Sequence, residues 1–124
     1  MNKEIINQEI GVAYEVLSDV GIAKDGKIDK TFRGQVSTFG AAITMGSLKA
    51  AIAFFSQKGE SSVDRAKISV AILELLKRTG RVEETYTSLF QLADEKGDDI
   101  KEEIINAAIS LKLAMNLYEL VKAK

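Results

Sequence analysis

Asp94, Asp98 and Asp99 stand within the run DEKGDDIKEE (residues 94–103), where six of ten residues carry a carboxylate. Carboxylates at that density are the hard oxygen ligands that Mg²⁺ or Ca²⁺ takes. The run lacks the spacing and the closing glutamate of an EF-hand loop. A plainer reading accounts for it. Gly97 ends one helix, and Asp98, Asp99, Glu102 and Glu103 suit the positive N-terminal end of the next. Glu83 and Glu84, just after Gly80, have the same explanation. No metal site and no cofactor are therefore expected. Gly34, Gly40 and Gly46 recur at intervals of six without forming a phosphate-binding glycine loop.

The residue types that are missing narrow the chemistry further. The chain has no cysteine and no histidine. Thiol nucleophiles, disulfides and thiolate metal sites are absent, as are the imidazole base and the triads built on it. Enzymatic activity is not expected, and no residue is assigned a catalytic role. Tyr14, Tyr86 and Tyr118 fall on apolar stripes and are expected in the core.

The basic residues are the remaining candidates. Net charge is only −1, but the charges segregate along the chain. Residues 1–19 hold one basic and four acidic groups, residues 20–81 eleven and five, and residues 82–124 five and nine. A basic middle between acidic ends suits an anionic partner met by one face. A mixed solvated surface would give the same count.

These groups need a scaffold, and the apolar spacing supplies an all-α one. At 124 residues, 46% hydrophobic and 28% charged, the chain is expected to form a single helical domain over 1–124. Ile6, Ile10, Ala13, Tyr14 and Leu17 predict a helix over 3–20, stopped by Gly21. Residues 21–28 read as a loop. Phe32, Val36, Phe39 and Ile43 predict a second helix, and its Gly34 and Gly40 suggest close approach of another helix or ligand, with a modest local weakness as the alternative. A break at Gly46-Ser47 opens a short third helix through Phe55 to Gly59. Ser61 and Asp64 open a fourth with Ala66, Val70, Leu73 and Leu76, ending at Gly80. A fifth is expected from Val82 to Lys96. The last runs from Asp98 or Asp99 to the terminus, on a broad apolar stripe that predicts a central position. No strand pattern is evident, so the expectation is a compact bundle of about six helices with a long C-terminal helix. The apolar stretch over 39–55 is short, broken and carries Lys49, unlike a membrane span of about 20 apolar residues. No signal peptide is read at the N-terminus, and a cytoplasmic location is expected.

Residues 43–58 carry a more specific pattern. Ile43, Leu48, Phe54 and Lys58 give I-x4-L-x5-F-x3-K within ITMGSLKAAIAFFSQK. This order resembles the small all-helical subunit of the type III-B CRISPR–Cas (Cmr) effector complex, as does the closing INAAISLKLAMNLYELVK. Where that family tends to carry a proline this chain has Gly40, and its glycine ahead of the leucine is displaced to Gly46. The resemblance implies a non-catalytic subunit that stacks with further copies of itself beside other subunits of the Cmr complex. It also implies a part in lining the channel for guide and target RNA in antiviral defence. Lys58 carries over from the motif as an RNA-backbone contact. Lys30, Arg33, Lys49 and Arg65 join it because they lie in the basic middle, where cationic groups could neutralise phosphates without reading bases. The alternative is a helical adaptor or dimerisation module that binds only protein, through apolar surface on the last helix.

Overall fold

A computed structural model describes residues 2–56 and 64–122. Its first helix, α1 (Lys3–Asp19), starts where the Asn2 side chain accepts hydrogen bonds from the backbone N–H groups of Glu4 and Ile5. It stops at Gly21, whose φ of 82° is left-handed. There Gly21 N donates to Ser18 O and Ile22 N to Leu17 O, the paired bonds that satisfy the last carbonyls of a helix. Gly80 closes α4 (Ala66–Arg78) in the same way, with Gly80 N to Lys77 O and Arg81 N to Leu76 O. Both stops fall where glycine, free of a Cβ penalty, marks them in the sequence.

Residues 21–28 are more than a loop. Asp25 (φ 54°) and Gly26 (φ 75°) form a two-residue turn between β1 (Ala23–Lys24) and β2 (Lys27–Asp29). Asp-Gly favours this hairpin because both turn residues need positive φ. β1 and β2 pair antiparallel, with Ala23 opposite Ile28 and Lys24 opposite Lys27. A third strand, β3 (Glu119–Val121), lies parallel to β2 with Ile28 beside Leu120. The fold is mainly helical with this small sheet, which corrects the all-α expectation. It also corrects the last helix. That helix, α6 (Lys101–Met115), ends short of the terminus because the next residues satisfy the open backbone edge of β2.

Asp29 caps α2 (Lys30–Met45) by accepting from Thr31 N at 2.9 Å. The helix buries Phe32, Val36, Phe39 and Ile43, the predicted stripe. An added Cβ at Gly34 or Gly40 would meet nothing within 4 Å, so neither glycine serves a close approach within the described chain. Ser47 caps α3 (Leu48–Phe55) through Ala50 N at 3.0 Å. The Met45-Gly46-Ser47 break lets α3 fold back so that Phe39 and Phe55 meet edge to face, centroids 5.2 Å apart.

Two expectations shift in the second half. α4 buries Leu73 and Leu76 of the predicted stripe together with Ile68, Ala71, Ile72 and Leu75, but leaves Val70 55% exposed, so its core face is partly rotated from the stripe read in the sequence. The predicted Ser61 start lies outside the described residues; Asp64 does cap Ala66 N at 3.0 Å. α5 (Leu89–Lys96) begins well after Val82. Ser88 accepts from Gln91 N, while the Gln91 side chain accepts from Thr87 N, a Ser-x-x-Gln start that closes the helix at Leu89. A 3-10 turn over Gly97–Ile100 leads into α6, which packs on α1, α2 and α4 as its broad apolar surface predicts. Buried side chains from every helix join one core. No helix among the described residues is long and apolar enough to cross a membrane.

Candidate phosphate-binding cleft

The five basic residues picked out in the sequence do not converge. Lys49 Nζ lies 2.7 Å from Asp94 Oδ1, pairing α3 with α5. Arg33 Nε donates to Asn116 Oδ1 at 3.2 Å, tying α2 to the end of α6. Arg65 Nε donates to the Phe54 carbonyl at 3.2 Å, and its guanidinium sits 4.0 Å from the centre of the Phe54 ring. Lys30 is exposed at the head of α2. Lys58 lies outside the described residues.

The acidic run is equally dispersed. Asp94 is held by Lys49, and Asp98 and Asp99 occupy the 3-10 turn ahead of α6, where the helix end favours negative charge. Among the described residues no three acidic side chains are grouped as metal ligands.

Other lysines are brought together instead. The hairpin and the start of α4 enclose a cleft of about 320 Å³ that Lys24, Lys27 and Lys67 line. Lys24 and Lys27 are direct cross-strand partners, so both side chains leave the same face of the hairpin. Lys67 reaches in from α4, its Nζ fixed by a 3.2 Å bond to the Gly21 carbonyl. Asp29 and Asp64 also line the cleft, and each already accepts a helix-capping bond through Oδ1. Glu119 lies beside Lys27 in the β3 register. Like charges placed directly opposite each other on a sheet are destabilising, so the hairpin holds a positive pair that a bridging anion would relieve.

All three lysines belong to the basic middle that charge counting marks. The hairpin that pairs Lys24 with Lys27 is marked in the sequence only by Asp25-Gly26. Lys67 is 43 residues from Lys24, and only packing of α4 against the loop after α1 joins them.

The tyrosines also divide. Tyr86 is buried, and burial followed by the Glu95 carboxylate raises its pKa. Tyr14 is 39% exposed, and Tyr118 covers it with ring centroids 4.4 Å apart. No protein-family model, curated protein or solved structure matches this chain.

Proposed function

We propose that this chain is a non-catalytic subunit of a cytoplasmic type III CRISPR–Cas effector complex, gripping the RNA backbone at the Lys24–Lys27–Lys67 cleft. The observation that carries this reading is one cleft lined by the cross-strand pair Lys24–Lys27 and by Lys67, three cations against the two aspartates Asp29 and Asp64. Ammonium groups in such a cleft can neutralise phosphates, the contacts that position a strand without specifying its sequence. Lys30 extends the positive edge at the head of α2. Arg33, Lys49 and Arg65 would have to exchange their present partners for phosphate, and rank behind the cleft.

The Cmr resemblance supplies the rest of the proposal: copies stack in a filament with the other subunits along guide and target RNA in antiviral defence. The motif residues are compatible with it. Ile43 and Leu48 are buried on either side of the helix break, and Phe54 is exposed. A second reading, the protein-only adaptor, is favoured by exposed Leu113, Leu117 and Leu120 at the chain's end.

Single-stranded RNA titrated at several salt concentrations separates the two. For single strands the log-affinity falls with a slope of about −0.7 per phosphate neutralised. Lys24→Ala with Lys27→Ala should weaken binding for all sequences and flatten that slope by roughly 1.4. The double variant should keep its thermal midpoint, since it removes a repulsion. An unchanged slope and affinity in the folded variant would sink the RNA reading and leave the adaptor.

A further inference from the structure

The hairpin turn also borders an acidic element. α1 carries one lysine against four carboxylates, and its last two turns form one wall of an open cleft of about 480 Å³. Tyr14, Glu15, Ser18 and Asp19 of α1 line it, together with Gly26 of the hairpin turn and Tyr118. We propose that this cleft captures an arginine side chain from a protein partner, its guanidinium lying on the Tyr14–Tyr118 pair and facing Glu15.

Three features carry the assignment. The aromatic surface is rigid: the rings are tilted 35° at 4.4 Å, and Tyr118 Oη donates to the Tyr14 carbonyl at 2.6 Å. A cation over an aromatic face gains most when the ring needs no reordering. The carboxylates are also poised. Glu15 and Asp19 are one helical turn apart, a like-charge spacing that repels. Asp19 already draws Arg78, whose Nη1 lies 2.7 Å away and whose pKa is raised by its bonds to Asp19 and Glu74. Glu15 forms no ion pair among the described residues, so one carboxylate of the pair is left for an incoming cation.

The third feature is a precedent in the same chain. Arg65 lies over the Phe54 ring at 4.0 Å while its Nε bonds a carbonyl oxygen. The Tyr14–Glu15 cleft offers the same two elements, a ring face and an oxygen acceptor, with a full negative charge added. Arginine fits better than lysine because a planar guanidinium stacks on a ring and bonds a carboxylate at once. The cleft is open, so a side chain carried on a peptide can enter it from solvent.

The site is independent of the RNA proposal, and its test is arranged to stay so. The full chain, carrying Lys24→Ala and Lys27→Ala to remove the basic pair, is titrated with a flexible Gly/Ser peptide bearing two arginines. Nuclear magnetic resonance shifts are followed at Tyr14, Glu15 and Tyr118. Saturable shifts confined to the cleft are expected, and Glu15→Lys should weaken binding on the order of tenfold or more. Tyr14→Ala should weaken it similarly, while Tyr14→Phe should restore it. Glu4→Lys makes the same charge change on α1 outside the cleft and should have little effect. Equal weakening by Glu4→Lys would overturn the site in favour of bulk electrostatics. Equal binding of a matching Gly/Ser peptide bearing two lysines, or no cleft shifts, would each overturn it too.

Discussion

Two ion pairs in this molecule invert the order that their lengths suggest. Lys49 and Asp94 approach to 2.7 Å with side chains 53% and 64% exposed. Arg81 and Glu9 are 3.3 Å apart, but the Glu9 side chain is wholly buried and Arg81 is 24% exposed. Water screens the first pair and competes for both of its members. The second lies in the seam between α1 and α6, where Ser110 Oγ also donates to Glu9 Oε1 at 2.9 Å. There each bond offsets the cost of keeping a carboxylate away from water. Burial, rather than distance, decides which polar contact the fold depends on.

The comparison can be broken most directly at Glu9, by calorimetric unfolding. Losing the buried carboxylate takes the acceptor from Arg81 Nε, whereas Ser110 Oγ keeps the Asn106 carbonyl at 2.9 Å. Breaking a buried pair costs roughly 3 kcal/mol, and Glu9→Ala should lose about that much. A loss no greater than that of an exposed pair would show that the seam is not where stability lies. Ser110→Ala sharpens the point. It leaves Arg81 in place and removes one donor from Glu9 Oε1, for an expected loss of about 1–2 kcal/mol. Lys49→Ala is the smallest change. Despite the shorter contact, its midpoint in urea should move by no more than the equivalent of about 0.5 kcal/mol. If Lys49→Ala costs as much as Ser110→Ala, the ranking by burial fails.

The same contrast explains what could be read ahead of the structure. Contacts that span three or four residues announce themselves in the sequence. Ser47 as a cap, Gly21 and Gly80 as stops, and Phe32–Val36–Phe39–Ile43 as a buried stripe depend on residues within a turn or two of each other. Their stereochemistry acts the same way in any surrounding fold. Asp25-Gly26 is equally local, but an Asp-Gly pair serves a loop as readily as a hairpin turn. The rotated face of α4 was lost because a residue-by-residue stripe through Val70 competes with one through Ile68, Ile72 and Leu75, and neighbouring helices choose between them.

By itself, then, the sequence determined a helical chain with set starts and stops, a basic middle between acidic ends, and a chemistry without imidazole or thiol. Tertiary structure decided the rest, because the deciding partners are far apart in the chain. The stretch 119–121 became a strand only because β2 presents an open edge to it. Glu9 acquires its role from Arg81 and Ser110, 72 and 101 residues away. Lys67 joins Lys24 and Lys27, and Tyr118 covers Tyr14, for the same reason. Side-chain chemistry and local backbone geometry are written residue by residue, whereas a site exists only where burial of the core brings distant segments together.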